Sequence, residues 1–422
     1  MDVYTRKGDR IIIKDEPLSS GGEGEIREIL SGATDYGNCC IKIYFQKKRT
    51  PQQEAKIIFM SDNPPEMITG SGFMIGWPIE PVYDASKSFL GFIMPLAFDG
   101  SRQLVNLTAL KISRRLGEAW HEKYDRSSRY ALLCRLKLMH NIAIPIYLLH
   151  HTGKYVLKDF KPQNVLVTHD GKVTIVDMDS VQICDNGKLL FPGTAATDLY
   201  IPTEFYTCGT GGNASIPIDK SWDNFALGVV FYQILFGLHP YVVTPKEQKD
   251  ADSNEISSNI SSDLFPFGHN ADKIQGYPTL HDKFKVLPTE VQTLFRRCFN
   301  ADPANRPSAD EWGMALNAII KKAGNLPKPE PKPIPKPEPR TRHDTTPDKS
   351  HRTDHPAYED KPSAGLNLIS FFVPVAGWVL YFVFKDEKPN RAKACSRWGW
   401  IGFGVLFIFN LILVATGYYY YY

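Results

Sequence analysis

The chain has 422 residues, 43% of them hydrophobic and 23% charged, with 49 basic against 46 acidic side chains and a formal net charge of +3. At about 150 residues per domain this is material for two or three domains with a sizeable core. Fractions so near the globular average exclude a wholly disordered chain, a collagen-like one and a small disulfide scaffold, and so small a positive excess argues against a nucleic-acid partner.

The N-terminus, M-D-V-Y-T-R-K-G-D-R, lacks the apolar stretch of a signal peptide, so a cytosolic N-terminal domain is expected. The seven cysteines are odd in number and contain no C-x-x-C pair, as in a reducing compartment. Ile11 and Ile13 alternate like a strand and precede L-S-S-G-G-E-G-E-I, with R-E-I-L after it. Gly21, Gly22 and Gly24 between two strands let a backbone turn sharply and approach a phosphate, or simply close a hairpin. Lys42 then interrupts the apolar strand C-C-I-K-I-Y-F. A lysine there either snorkels to a sheet edge or serves an anion. In T-P-Q-Q-E-A-K, Thr50 predicts a helix cap, Pro51 the first helical position and Gln53 a capping box. Glu54 in the first turn is the expected partner of Lys42.

From about Tyr130 to His151 the pattern is helical, with Pro145 inside as a kink and two histidines at its end. Next comes K-Y-V-L-K-D-F-K-P-Q-N-V-L-V-T-H-D-G-K-V-T-I-V-D-M-D-S. Asp159, Lys161 and Asn164 lie on a loop, and a hairpin of V-L-V, a D-G turn and V-T-I-V delivers Asp177. Phosphoryl transfer from a nucleotide needs hard oxygen ligands for a metal, a cation for the moving phosphate and a carboxylate for the attacking hydroxyl. Asn164 and Asp177 suit the first, Lys161 the second and Asp159 the third. The segment from Lys246 to Asn270, rich in Ser, Asn and Asp, reads as a surface insertion.

From Asn325 to Pro362 the chain holds ten of its 31 prolines, seven of them alternating from Pro327 to Pro339. Alternating proline forbids helix and sheet ladder, so residues 323–363 read as a stiff linker. Two uncharged runs follow, residues 364–384 and 398–420, each long enough to span a bilayer and carrying Trp378, Tyr381, Trp398 and Trp400 for its interfaces. They are expected to form a transmembrane helical hairpin. Its loop, residues 385–397, has five basic and two acidic side chains; with a cytosolic N-terminal domain it falls outside, against the positive-inside tendency, unless the first run, broken by Pro374 and Gly377, is re-entrant.

Residues 1–322 resemble the eukaryote-like (Hanks-type) Ser/Thr protein kinases, and the spellings G-G-E-G, K-I-Y and D-x-D-S-x-Q resemble a bacterial subgroup often joined to membrane segments. S-S-G-G-E-G-E-I matches the glycine-rich loop through Ile26, Lys42 the strand lysine, D-F-K-P-Q-N the catalytic loop and Asp177 the metal-binding aspartate of D-F-G. Glu204 in I-P-T-E, Asp223 in D-N-F-A-L-G and Arg306 in N-R-P-S match later, structural positions. The resemblance implies an α+β bilobal fold, with a small β-rich N-lobe over about residues 1–97 and a helical C-lobe over about 98–322. It implies ATP with Mg2+, or Mn2+, as cofactors. Asp159 and Lys161 would be catalytic, and Asn164 and Asp177 would hold metal. Gly21, Gly22, Gly24, Ile26, Lys42, Glu54 and the hinge residues Met94 and Leu96 would bind the nucleotide, the hinge through its backbone. Thr197, or Thr194, would support Asp159. The lysine two residues after Asp159 belongs to the Ser/Thr pattern, so the partners implied are protein hydroxyls, with the bilayer as anchor.

Four departures stand out. Ser19 replaces the first loop glycine, and Leu157 and Lys158 replace His and Arg of H-R-D, which puts control by loop phosphorylation in doubt. Asp179 stands where D-F-G has glycine, either as a second metal carboxylate or as a solvent-facing or helix-capping one. Lys42 and Glu54 are only twelve residues apart. The competing expectations are a pseudokinase scaffold, disfavoured because Lys42, Asp159, Asn164 and Asp177 are all present, and a small-molecule kinase of the aminoglycoside-phosphotransferase type, disfavoured by Glu204, Asp223 and Arg306.

Overall fold

The computed structural model describes residues 1–32, 36–126, 129–193, 196–207, 217–247, 256–300, 302–324, 367, 370–371, 381 and 389–415. The chain divides into two compact units, Met1–Glu330 and Pro331–Tyr422. The first unit has a β-rich N-terminal lobe and a helical C-terminal lobe, the bilobal arrangement expected.

The N-lobe strands are β1 (Asp2–Thr5), β2 (Arg10–Ile13), β3 (Ser19–Ser20), β4 (Gly24–Ser31), β5 (Cys39–Tyr44), β7 (Glu80–Tyr83) and β8 (Phe89–Pro95), while β6 (Phe73–Ile75) joins another sheet. Their order is β2-β1-β7-β8-β5-β4-β3, and β2 also pairs with β4, so the sheet curls on itself. Side chains alternate across a strand. On β5, Ile41 and Ile43 therefore enter one apolar core with Val3, Ile11, Ile13, Val82, Leu90 and Ile93, while Cys40, Lys42 and Tyr44 face the opposite way. Gly91 sits where the ladder is closest: a Cβ there would lie 1.8 Å from the Lys42 carbonyl oxygen.

Helix α1 (Pro51–Asp62) starts as the sequence predicts, with Pro51 at its first position and the Thr50 hydroxyl accepting the Gln53 amide at 3.1 Å. The capping box is not completed, because the Gln53 side chain turns instead to the Tyr44 hydroxyl. The inward stripe of α1 is Gln53, Lys56, Ile57 and Met60, the spacing of one helical face.

In the C-lobe, β9 (Arg102–Gln103), β11 (Val165–Val167), β12 (Val173–Ile175) and β6 form one sheet, and β10 (Tyr155–Val156), β13 (Gln182–Asp185) and β14 (Lys188–Phe191) another. The helices are α2 (Val105–Thr108), α3 (Glu118–Tyr124), α4 (Arg129–His151), α5 (Thr203–Thr207), α6 (Ser221–Phe236), α7 (Ile256–Ser261), α8 (Thr289–Cys298) and α9 (Ala309–Gly324). Helix α6 is buried nearly all round, as a helix apolar on all its faces from Phe225 to Tyr232 must be. Helix α4 continues through Pro145 and is the one described helix long and apolar enough to cross a membrane. Its inward residues Leu138, Met139, Ile142, Ala143, Ile146 and Leu149 pack into the main core, which marks it as a core helix.

Of the second unit, the helix Pro389–Ala415 is described at length. Residues 389–397, expected as part of a loop, are helical: Pro389 is a favoured first residue and nothing between it and Trp398 breaks the helix. Its buried face is the small-residue series Ala392, Cys395, Gly399 and Gly402. A Cβ on Gly402 would lie 1.9 Å from the Phe371 carbonyl oxygen, and the Phe371 and Trp398 rings meet edge to face at 6.1 Å. Most of the first apolar run, the linker and Thr194 lie outside the described residues.

Candidate active site

Lys42 projects from β5 onto the face away from the N-lobe core, and its ammonium is held by the two carboxylates of D-M-D. Nζ donates to Asp179 Oδ1 and Oδ2 at 2.8 and 2.7 Å and to Asp177 Oδ1 at 3.3 Å. Tyr44, two residues on and thus on the same face, donates its hydroxyl to Asp179 Oδ2 at 2.5 Å and accepts from Gln53 Nε2 at 2.7 Å. Burial works to lower the Lys42 ammonium, but Asp179 and Asp177 more than reverse this and hold it above its ordinary value. Asp179 is driven up by burial, yet Lys42 and Tyr44 outweigh that and keep it below the usual carboxylate range. Asp177 is raised, first by burial, with Lys42 opposing and Asp179 adding.

Two expectations are corrected here. Glu54 does not pair with Lys42 among the described residues; its carboxylate lies near the Tyr83 phenol on β7. Asp179 has taken that partnership, because a carboxylate two residues past Asp177 reaches Lys42 from below with both oxygens. Asp179 is therefore not solvent-facing: it is 2% exposed, both its oxygens accept from donors, and it stands with Asp177 and Glu23 in a carboxylate group close enough to share a metal ion.

The residue of α1 that does point into this cluster is Lys56. It is 2% exposed, and its Nζ makes no hydrogen bond among the described residues. Burial lowers its ammonium to about 8, with Asp179 and Glu23 pulling upward and Lys42 pushing down.

Gly21 and Gly22 lie exposed at the tip of the β3–β4 turn, which is closed by the Gly21 amide donating to the Gly24 carbonyl at 2.9 Å. Gly24 is glycine for a different reason from phosphate approach: a Cβ there would lie 2.3 Å from the Ile43 carbonyl oxygen of β5. Ile26, half-buried on β4, is in register with Lys42. Glu23 between the glycines pairs with Lys48 at 2.6 Å, and its carboxylate comes within 4.8 Å of those of Asp177 and Asp179. Met94, at the end of β8, is buried and in register with Cys40. The Leu96 amide donates to the Asn38 carbonyl at 3.0 Å, so a hinge contact through that N–H is not available while this turn holds.

The catalytic-loop candidates come together. Asp159, 4% exposed, accepts from Thr197 Oγ1 at 2.6 Å on one oxygen and from Lys161 Nζ at 2.5 Å on the other; Lys161 also donates to Thr197 Oγ1 at 2.9 Å. Asn164 donates through Nδ2 to the Asp159 carbonyl at 3.0 Å. The hairpin register Val165↔Ile175 carries the chain back to Asp177. Lys158 and Asp177 both adopt left-handed backbone, φ 64° and 65°, a conformation that a side chain disfavours and that surrounding bonds must hold. For Lys158 those bonds are visible. Buried Asp223 accepts the Leu157 and Lys158 amides at 2.7 and 2.9 Å and meets His150 Nε2 at 2.8 Å. His150, in the last turn of α4, thus braces the loop through Asp223. Farther out, Arg306 grips Glu204 with two nitrogens at 2.6 Å each.

Residues 118–315 match the protein kinase domain family. The chain contains a protein kinase domain. Among the curated proteins similar to this chain is the protein kinase YegI of Escherichia coli K12, 24% identical over 323 residues, which are 75% of this chain and 46% of YegI. Mitogen-activated protein kinase kinase kinase 12 of Rattus norvegicus is 29% identical over 182 residues, 43% of this chain and 17% of the relative. The probable serine/threonine-protein kinase iksA of Dictyostelium discoideum is 25% identical over 182 residues, covering 39% and 18%. The chain spans just under half the length of YegI and a smaller part of the other two.

The kinase domain offers a divalent cation a suitable set of hard oxygens. Asn164 commits its Nδ2 to Asp159, leaving its Oδ1 as a neutral ligand, and the Asp177 carboxylate is partly open to the cleft while touching Lys42 with one oxygen. Sequence reasoning missed Tyr44, Gln53, Glu23 and Lys56 as members of the cleft. The period-two alternation from Lys42 signals Tyr44, and the helical spacing from Gln53 signals Lys56; which carboxylate each would meet is not a local property.

Proposed function

We propose that the chain is a membrane-anchored Ser/Thr protein kinase that transfers the γ-phosphate of ATP to hydroxyls of protein substrates. The observation that carries this is the Asp159–Lys161–Thr197 triangle. It holds a buried carboxylate ready for a substrate hydroxyl, puts an ammonium beside it for the transferring phosphate, and ties both to the segment that precedes Glu204. Asp159 accepts or aligns the hydroxyl proton as the oxygen attacks phosphorus, and Lys161 offsets charge on the phosphoryl group as it moves. Lys42 orients the nonreacting phosphates, with Gly21 and Gly22 giving the turn above them a bare backbone. Asn164 and Asp177 would hold Mg2+, which neutralises phosphate charge when bound; Mn2+ suits the same oxygens.

Lysine two residues after Asp159 supports hydroxyls of Ser and Thr. The Glu204–Arg306 pair supports a protein substrate over a small molecule, because it braces the segment on which Thr197 lies. Two long uncharged runs support the bilayer anchor, and the helix Pro389–Ala415 leaves Trp400, Ile401, Phe403 and Val405 exposed along its outer side. The domain is placed on the cytoplasmic side, where ATP and reduced cysteines are found.

The test is incubation of the full chain in detergent with radiolabelled ATP, Mg2+ and generic protein acceptors, beside Asp159→Ala and Asp177→Ala. Acid-stable label on serine or threonine, lost in both variants, is expected. ATP binding with no transfer to any acceptor would establish the scaffold reading, and label that persists in Asp177→Ala would overturn the metal assignment.

A further inference from the structure

We propose that Lys56 is a second phosphate-binding lysine of the nucleotide site, closing with Lys42 a two-cation clamp on the polyphosphate. The proposal rests on the kinase reading above and deepens it. Lys56 lies on the inward stripe of α1, one turn beyond Gln53, whose amide is bonded to Tyr44 on the Lys42 face of β5. An ammonium so deeply buried is strongly disfavoured without an anion, yet among the described residues each carboxylate near it is already engaged by another donor on at least one oxygen and none is bonded to Lys56. Asp179 takes Lys42 and Tyr44 on its two oxygens, Asp177 takes Lys42, and Glu23 takes Lys48. Lys42 is the other cation facing it. Glu54, which the resemblance would aim at this pocket from α1, is turned to Tyr83. Among the described residues the helix thus carries a buried, unbonded cation on its inward stripe where an anion was expected.

A ligand that satisfies both lysines must bring several negative charges on a narrow chain into the space between the β3–β4 turn and Asp177. A nucleoside di- or triphosphate does so. Each lysine acts as a point charge and needs no fixed fork.

The rival is a purely structural role, in which Lys56 balances Asp179 through space. Full-length Lys56→Met and Lys56→Arg would be titrated with ATP, ADP and adenosine, with thermal midpoints measured beside. The clamp predicts that Lys56→Met binds ATP and ADP about tenfold or more weakly, binds adenosine as the native chain does, and melts no lower. Lys56→Arg should keep most of the preference for ATP over adenosine. Unchanged ATP affinity, an equal loss for adenosine, or an arginine variant as poor as the methionine one would overturn it. A lowered midpoint with unchanged ATP affinity would establish the structural role instead. The kinase reading fails separately, if the native chain binds ATP but transfers no phosphate, and the binding series still decides the role of Lys56.

Discussion

Around Asp159 every charge has a partner before any substrate arrives: Lys161 and Thr197 on the carboxylate, Asn164 on its carbonyl, Asp223 under the two preceding amides, and Arg306 on Glu204. Around Lys42, some residues above, charges are crowded and unevenly shared. One lysine holds two aspartates, a third carboxylate leans in from the glycine turn, and a second lysine has none of them. On the function proposed here, the lower cluster would position a hydroxyl, which is where fixed geometry contributes most to rate. The upper one is arranged to be completed by a ligand that carries its own charge.

The largest break in this comparison is Asp159→Ala. It should lower phosphotransfer by about 100- to 10,000-fold while ATP affinity stays near that of the native chain, as read by a kinase assay beside nucleotide titration. Asp179→Ala should act on the fold, leaving buried Lys42 with only the longer contact to Asp177. A loss of about 3–5 kcal/mol in denaturant unfolding is expected, and a loss below 1 kcal/mol would mean that Glu54 or water takes over.

The next test concerns two imidazoles buried in the C-lobe. His239 donates through Nε2 to the Leu199 carbonyl and accepts the Tyr241 amide on Nδ1; His281 faces the Val242 carbonyl and the Tyr232 hydroxyl in the same way. Burial lowers both to about 4, and a second ring proton would oppose a donor. Below the unfolded value of about 6.5 the unfolded chain takes up protons that the folded chain refuses until about 4. Stability is therefore full at pH 7 and lost as pH falls through that window, by up to about 3 kcal/mol per ring. Asp263, raised by burial to about 6, works the other way and offsets part of one ring. A stability curve flat from pH 7 to 4 would mean that the rings are not buried as neutral groups.

The smallest effect is expected at Glu54. Its replacement by alanine should change stability by less than about 1 kcal/mol, the range for a partly exposed contact, and should change phosphotransfer by no more than a few-fold. A collapse of activity in Glu54→Ala would mean that Lys42 changes partner during the reaction.

Much of the lower cluster was legible because its members are close in sequence. Asp159, Lys161 and Asn164 share one loop, and a hairpin of known period returns Asp177 beside them. The Thr50 cap and the Pro51 start of α1 were legible for the same reason. The Leu96 N–H is engaged by the Asn38 carbonyl, and Gly24 serves strand packing; neither is visible in a glycine count or an apolar run.

By itself the sequence determined which face each side chain takes. Alternation along β5 sends Lys42 and Tyr44 toward the cleft, and helical spacing sends Gln53 and Lys56 inward, because these periods are properties of the local backbone. Only the tertiary structure decided who meets whom. Lys42 and Asp179 are 137 residues apart, and a preference for Asp179 over Glu54 depends on distances between β5, α1 and the turn after β12. Those distances are set by the packing of whole elements, which no local pattern contains.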